Sequence, residues 1–183
     1  MVRIDRVVTR GGDKGETSLG DNSRVSKASP RIEAIGAVDE ANASIGVLRL
    51  HTSARTEDPM LARIQNDLFD VGADLCVPGT GGDHLRVTDA AVTRLEAEVV
   101  HMNATLPPLK SFILPGGTEA AVHAHMARVA ARRAERTVVA LENTNPIVQR
   151  YLNRLSDHLF VLARVLNENA AADVLWEPGA NRL

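Results

Sequence analysis

The sequence predicts an all-α protein: an up-and-down bundle of five helices that follows an irregular, glycine-rich N-terminal segment. Three observations predict this class. Apolar residues recur at three- and four-residue spacing in five long segments, the loops between them are mostly short, and no strand pattern alternates with them. Hydrophobic residues make up 44% of the chain and aromatic residues only 3%, so aliphatic side chains and alanine must fill the core. Such an interior suits closely packed helices better than a β-sandwich.

The length and charge of the chain narrow the classes of function. With 183 residues we expect one domain, 1–183, made of an N-terminal loop at 1–28, a helical bundle at 29–170 and a mobile tail at 171–183. The net charge of −2, with no block of like charge, argues against non-specific nucleic-acid binding. The single Cys76 excludes an internal disulfide framework and fits a reducing compartment.

The apolar pattern gives no sign of a membrane protein. No apolar run approaches the roughly 20 residues that a membrane span needs, and the first residues contain no hydrophobic signal core. We therefore expect a cytoplasmic protein.

The first three helices have clear start signals. Ser29 and Pro30 are the N-cap and first residue of a helix that continues to about His51. The second begins at Asp58 and stops by Pro78. Thr88 caps the third. Their inward faces are predicted from the spacing of the apolar residues, which are Ile35, Val38, Ile45 and Leu48, then Leu61, Ile64, Leu68, Val71 and Leu75, then Val92, Leu95, Val99 and Met102.

The fourth helix, 118–141, carries both a packing face and a row of guanidinium groups. Thr118 is its N-cap, and no proline or glycine interrupts it. Its predicted apolar stripe is Val122, Val129, Ala130, Ala134 and Val138. Arg128, Arg132 and Arg136 are four apart and share another face, where like charges repel by a few tenths of a kcal/mol per pair. Such a row is a solvated face unless an anion or a carboxylate lies against it.

The fifth helix begins at Asn145 and Pro146, and leucines at 152, 155, 159, 162 and 166 point inward. The N-terminal segment 9–27 is instead rich in glycine, hydroxyl and cationic residues. Glycines allow successive backbone N–H groups to converge on a phosphate, but the spacing is not that of a Walker A loop. The residues alone leave both a flexible polar tail and an anion-binding loop open.

Few side chains suggest catalysis by the protein itself. His123 and His125 are two apart and point to different sides of a helix, so we predict no metal chelation by this pair and no metal-ligand set elsewhere. Cys76 is more easily explained as a packed thiol than as a nucleophile. Phe112 lies in a loop, where it either anchors the loop to the core or lines an apolar cofactor site.

Five motifs together resemble the trimeric five-helix-bundle family of ATP:cob(I)alamin adenosyltransferases. In chain order they are TRGGDKGETSLGDNSRVSK (9–27), RIEAIGAVDEANASIG (31–46), FILPGG (112–117), ARVAARRAER (127–136) and YLNRLSDHLFVLAR (151–164). The resemblance covers Thr9 to about Asn167. It implies a homotrimer with ATP held at the subunit interfaces.

The resemblance also implies a set of site residues. The triphosphate loop would consist of Thr9, Arg10, Gly11, Gly12, Asp13, Gly15, Thr17, Ser18 and Lys27. From the neighbouring chain, the central helix would add Arg132, Arg133, Glu135 and Arg136. Asn153 would contact the nucleoside, and Asp39 and Arg128 would form a structural ion pair near the interface. Phe112 would pack against the lower face of the corrin and displace its dimethylbenzimidazole base.

The implied reaction explains the charges. Cob(I)alamin attacks the ribose C5′ of ATP, and inorganic triphosphate leaves, so Arg132, Arg136, Lys27 and Mg²⁺ would stabilise developing negative charge. Mg²⁺ would bind mainly to the phosphates. The implied partners are cobalamin, a flavoprotein reductase and an adenosylcobalamin-dependent enzyme. Two alternatives remain open: a non-catalytic ATP-binding bundle that acts as a nucleotide sensor or adenosylcobalamin carrier, and a purely structural helical oligomer.

Overall fold

The computed structural model describes Val8 and residues 10–182. Over these residues the chain forms five α-helices and two short β-strands. The helices are α1 (Pro30–Leu50), α2 (Asp58–Cys76), α3 (Asp89–Asn103), α4 (Glu119–Val139) and α5 (Pro146–Leu166). The strands are β1 (Glu16–Ser18) and β2 (Arg24–Ser26). The predicted helical bundle is confirmed, and none of the described helices is both long enough and apolar enough to cross a membrane.

The helix boundaries follow from local capping chemistry. The Thr118 hydroxyl accepts a hydrogen bond of 3.2 Å from the backbone N–H of Ala121, and the Asn145 side chain accepts one of 3.1 Å from that of Ile147. Each bond satisfies an amide that the first turn of a helix leaves without a partner. Proline lies in the first turn of α1, α2 and α5, where its missing N–H costs nothing.

Helix α4 lies at the centre of the bundle and packs against both α1 and α5. Its buried face consists mainly of alanines, at 120, 121, 124, 127, 131 and 134, together with His125 and Val138. The predicted stripe was therefore partly wrong, because Val129 is 52% exposed and Ala130 only half-buried. Alanine side chains allow α1 and α5 to approach α4 closely. The prediction from the valine positions failed because alanines, rather than valines, form most of the contact of α4 with α1 and α5.

The N-terminal segment contains a β-hairpin that the sequence analysis did not predict. Strands β1 and β2 pair antiparallel, with Thr17 opposite Val25. Asn22 lies in the turn with a positive φ of 65°, a conformation that asparagine tolerates better than most residues. Three-residue strands are too short to produce a visible alternation of apolar and polar residues.

The start of the tail packs against the bundle in the described residues, and the mobility of the tail stays a prediction. Residues 174–176 run antiparallel to the segment before α4, with a bridge between Ile113 and Leu175. Asp173 accepts a hydrogen bond of 2.9 Å from Arg164 of α5, and both side chains are about 5% exposed. This buried ion pair fixes the start of the tail on the bundle.

Candidate active site

The loop that precedes the hairpin is a compact turn held by its own backbone. Arg10 and Gly15 both have positive φ, and the amide of Lys27 donates a hydrogen bond of 2.8 Å to the carbonyl of Gly15. A Cβ added at Gly12 would lie 2.8 Å from the Nζ of Lys27, so the flexible end of the lysine crosses close over the loop at this glycine. The loop therefore brings glycine-rich backbone and the Lys27 ammonium together, as an anion site requires.

Arg24 fixes the position of this loop from the second strand. Its guanidinium donates hydrogen bonds to the Gly11 carbonyl at 3.0 Å and to the Ser18 hydroxyl at 3.2 Å. The sequence analysis placed Arg24 among the polar residues of the segment without giving it a role. Arg24 lies directly opposite Ser18 on the paired strand, a relationship that only the hairpin reveals.

The hairpin is attached to the end of α2. The amide of Gly20 donates a hydrogen bond of 2.8 Å to the carbonyl of Cys76, and Leu19 is buried. Arg31, at the start of α1, binds the Leu75 carbonyl at 2.9 Å and the Glu142 carbonyl at 3.0 Å. These contacts hold the hairpin, the end of α2 and the loop after α4 at one end of the bundle.

The predicted row of arginines on α4 is not neutralised within the described chain. Arg132 and Arg136 are exposed, and no hydrogen bond or ion pair to a described residue involves their guanidinium groups. Arg128 contacts only His125, at 3.4 Å. Every other arginine of the five helices has a carboxylate or carbonyl partner, namely Arg31, Arg49, Arg63, Arg94, Arg133, Arg150, Arg154 and Arg164.

The pKa of Arg128 reflects the lack of a described carboxylate partner in this row. Burial lowers the pKa of Arg128, and the positive charge of Arg132 lowers that pKa further. Like charges at this spacing cost a few tenths of a kcal/mol per pair. An external anion against this row would relieve the repulsion, since no described carboxylate pairs with it.

Arg133, Glu135 and Asn153 occupy different environments. Arg133 pairs with Glu33 at 3.1 Å and with Glu40, both on α1. Asn153 of α5 donates a hydrogen bond of 2.8 Å to Glu135, so these two residues, both assigned to the nucleotide by the resemblance, already lie together. Arg133 would have to exchange its α1 partners to reach a phosphate from this position.

The arginine row runs from the middle of α4, at Arg128, to its last turn, at Arg136, and that turn lies toward the end of the bundle that carries the glycine-rich loop. Arg133 of α4 contacts Glu33 near the start of α1, and α1 directly follows the hairpin, which fixes that end. Among the described residues, no hydrogen bond or ion pair links 10–27 to Arg128, Arg132 or Arg136. One chain therefore presents two cationic groups that no described contact joins.

The predicted Asp39–Arg128 pair is not formed within one chain. Asp39 is exposed on α1, and no described residue forms a hydrogen bond or ion pair with its carboxylate. It lies at the rim of an apolar groove of about 500 Å³ between α1 and α2. Ile35, Leu68 and the exposed ring of Phe69 line this groove. A pair between different subunits stays a prediction.

Phe112 does not anchor its loop to the core, because its side chain is 76% exposed. Its ring centroid lies 6.2 Å from that of Trp176, and the exposed side chains of Leu114 and Leu175 extend the same apolar surface. Exposed apolar side chains that cluster in this way form a candidate binding surface. Trp176 belongs to this surface, although the sequence analysis did not single it out.

The remaining predicted positions have varied outcomes. Thr9 lies outside the described residues, whereas Arg10, Gly11, Gly12, Asp13, Gly15, Thr17, Ser18 and Lys27 all belong to the loop and hairpin. His123 and His125 point to different sides as predicted, since His125 is 2% exposed and His123 only half-buried. His123 instead lies beside His51 and Glu119, a group that was not predicted.

The fold and these features define a class: a five-helix bundle that combines a glycine-rich cationic hairpin, an unpaired arginine row and an exposed aromatic surface. Residues 7–166 match the cobalamin adenosyltransferase family, and the chain belongs to that family. It is 49% identical over 181 residues to a cobalamin adenosyltransferase of Cupriavidus metallidurans, with 96% of each chain covered.

Two further relatives agree. The chain is 46% identical over 191 residues to a corrinoid adenosyltransferase of Mycobacterium tuberculosis, with 99% of this chain and 97% of that protein covered. A variant PduO-type ATP:corrinoid adenosyltransferase from Lactobacillus reuteri, solved in complex with cobalamin and ATP, superposes with a TM-score of 0.88 at 34% identity. That match covers 94% of this chain and 99% of the other. The resemblance stated from the motifs is confirmed.

Proposed function

We propose that this protein transfers the 5′-deoxyadenosyl group of ATP to the cobalt of cob(I)alamin and releases inorganic triphosphate. A Co–C5′ bond forms as the C5′–O bond breaks, and the triphosphate leaves with the bonding electron pair. Membership of the family and the substrates of the Lactobacillus reuteri protein support this reaction. The reaction needs no protein nucleophile.

The observation that carries the proposal is the unpaired arginine row. Arg128, Arg132 and Arg136 are the helix arginines without a carboxylate or carbonyl partner among the described residues. Placed against the leaving triphosphate, Arg132 and Arg136 stabilise charge that is larger in the transition state than in bound ATP. Interactions of this kind raise the rate of the chemical step rather than only the affinity.

The hairpin supplies the second half of the triphosphate site. The residues assigned to it are Arg10, Gly11, Gly12, Asp13, Gly15, Thr17, Ser18 and Lys27, with Thr9 beyond the described part. The Lys27 ammonium, which lies close over Gly12 in this glycine-rich loop, supports this assignment. Asn153, which donates a hydrogen bond of 2.8 Å to Glu135, would contact the nucleoside.

The site is completed by a neighbouring subunit of a homotrimer. Three observations support this assembly. The hairpin and the arginine row are not joined within one chain. Among the described residues Asp39 has no guanidinium partner and Arg128 has no carboxylate partner, and the groove beside Asp39 is apolar. Pairing Asp39 of one subunit with Arg128 of the next would satisfy both charges and cover the groove. Each trimer would then hold up to three ATP sites.

Phe112 is assigned to the corrin. An exposed aromatic ring beside Trp176 and Leu114 offers the apolar surface that the lower face of a corrin needs. Displacement of the lower dimethylbenzimidazole ligand from cobalt makes the reduction of Co(II) to Co(I) easier. A flavoprotein reductase would supply the electron, and an adenosylcobalamin-dependent enzyme would receive the product.

The described residues fit Mg²⁺ only as an ion that binds to the nucleotide. The described loop and hairpin, 10–27, contain the carboxylates of Asp13, Glu16 and Asp21, and these do not form a cluster that could hold a metal ion. Mg²⁺ retains several waters and usually binds through phosphates with one or two carboxylates, and it would neutralise part of the triphosphate charge. Arg132, Arg136 and Lys27 orient the phosphates and neutralise the rest.

A direct assay tests this function. Purified protein is incubated with ATP, Mg²⁺ and chemically reduced cobalamin, while the corrin spectrum and the release of triphosphate are both followed. We expect the spectrum to change to that of adenosylcobalamin with one triphosphate released for each corrin. ATP binding without either change would contradict the proposal and favour a nucleotide sensor or carrier.

A further inference from the structure

Three side chains with metal-binding chemistry meet where the end of α1 packs against the start of α4. They are His51, the C-cap residue of α1, and Glu119 and His123 from the first turns of α4. One donor atom of each lies within 4.8 Å of the donor atoms of the other two. The His51 Nδ1 is 3.6 Å from the Glu119 Oε2, too far for a hydrogen bond.

The helix geometry holds two of these groups in register. Glu119 and His123 are four residues apart, so they lie one above the other on the same face of α4. The imidazole of His51 stacks on that of His123 with centroids 4.4 Å apart and planes inclined by 15°. Both histidines are half-buried.

The set has the chemistry of a transition-metal site. Two imidazoles and one carboxylate are common ligands of zinc, and two histidines with one carboxylate also bind other first-row ions while leaving positions open. Donors bound to one tetrahedral ion are about 3.3–3.5 Å apart. The donor atoms already lie within 4.8 Å of one another. Both imidazoles must rotate out of their present stack to bind one ion, because each ring nitrogen ligates through a lone pair that lies in the plane of its own ring.

The helix ends near these three side chains have opposite effects on a bound cation. The carbonyl end of α1, where His51 lies, attracts positive charge, and the amide end of α4 opposes it. Glu119 offsets that opposition because its carboxylate stands in the first turn of α4. The exposed Glu119 side chain also leaves an open path from solvent for the ion.

We propose that His51, Glu119 and His123 bind a divalent first-row transition-metal ion, with zinc as the reference ion, in a site separate from the nucleotide and corrin residues. The bound ion connects the end of α1 to the start of α4. Because these ligands come from two elements of the folded bundle, the native chain binds the ion more tightly than the unfolded chain does. Metal binding therefore raises the stability of the native state.

Calorimetric titration of Zn²⁺ into tag-free protein, first freed of metal with a chelator, tests the site. We expect one ion bound for each chain and a rise in melting temperature when Zn²⁺ is added. His51→Ala and His123→Ala should each weaken Zn²⁺ binding by about 100-fold or more, since even outer-shell changes cost 10- to 100-fold. Absorption of Co²⁺ bound in place of Zn²⁺ reports whether the geometry is tetrahedral.

Matched variants show whether Zn²⁺ is bound by these three residues or by other side chains of the protein. His101→Ala removes an exposed histidine of α3 and should leave Zn²⁺ affinity unchanged. Glu119→Gln keeps the size of the side chain and should weaken binding by about tenfold or more even if the histidine variants fold poorly. No binding by the wild-type protein, or equal binding by wild type and the Glu119 and His123 variants, overturns the proposal.

Discussion

The backbone amide of Trp176 donates a hydrogen bond of 2.8 Å to the carbonyl oxygen of Phe112. The Ser111 hydroxyl donates one of 2.7 Å to the carbonyl of Trp176, and the Leu114 amide donates one of 2.8 Å to that of Val174. Phe112 is thus an exposed ring on a backbone that the C-terminal tail holds in place. The tail is therefore part of the apolar surface assigned to the corrin.

Removing the Trp176 amide should impair the use of cobalamin. Trp176→Pro eliminates the N–H that binds Phe112, whereas Trp176→Ala removes the ring and keeps the amide. A hydrogen bond is worth about 1 kcal/mol, so we expect kcat/KM for cobalamin to be about fivefold lower in the proline variant than in the alanine variant. The KM for ATP should be unchanged in both. Equal kcat/KM for cobalamin in the two variants would show that this bond does not position Phe112.

Arg132 and Arg136 should be required for transfer and not for folding. Arg132→Ala or Arg136→Ala removes a cation that stabilises the leaving triphosphate, so kcat should fall by about 100-fold or more. Helix content by circular dichroism should be retained, because both side chains are exposed and lack described partners. Arg150→Ala, which removes an exposed arginine paired with Asp89, is the matched control and should keep full activity. Full activity in the two α4 variants would rule out this site.

The role assigned to Phe112 depends on the oxidation state of cobalt. Phe112→Ala should strongly slow the reaction when Co(II) cobalamin and a reductant are supplied. The same variant should be much less impaired with cobalamin reduced to Co(I) beforehand, because that form no longer needs its lower ligand displaced. Parallel assays from the two starting states measure this difference. An equal loss of rate from both states would contradict a role in reduction.

The stability of the bundle should decrease as the pH falls below about 6.5. Burial lowers the pKa of His125, the charge of Arg128 lowers it further, and Asp173 opposes these effects. Phe160 of α5 covers the edge of the ring. Below the ordinary histidine pKa of about 6.5, the unfolded chain takes up a proton that the native chain resists, so the free energy of unfolding falls with pH.

Thermal unfolding between pH 7.5 and pH 5.5 tests this effect. The melting temperature of the wild-type protein should fall over this interval, and that of His125→Gln should fall less. His84→Gln changes an exposed histidine and serves as the control. A His125 variant with the same pH dependence as the wild type would assign the effect to other groups.

The helices could be predicted because their signals are local. Ser29, Thr88, Thr118 and Asn145 all occupy the N-cap positions that the sequence indicates. The buried face of α4 was harder to predict, since alanine gives little hydropathy contrast and its burial depends on the neighbouring helices. The hairpin could not be predicted, because strands of three residues are too short to show a period of apolar and polar residues.

The site could be predicted only where residues are close in sequence. The spacing of Arg128, Arg132 and Arg136 is visible in the chain, but their lack of partners is a property of the fold. The contact between Phe112 and Trp176 joins positions far apart in the sequence. The same is true of His51 and His123: reasoning about His125, two residues away, could not reveal a partner at the end of another helix.

Complementation between two inactive variants is the most direct test of a site shared by neighbouring subunits. Lys27→Ala damages the hairpin half, and Arg132→Ala damages the arginine half. If the halves come from different chains, trimers co-assembled from equal amounts of the two variants contain roughly a quarter of their interfaces with both halves intact. We predict adenosyltransferase activity near a quarter of the wild-type value, and none when separately assembled trimers are mixed without exchange. Co-assembled trimers no more active than either parent would contradict the account.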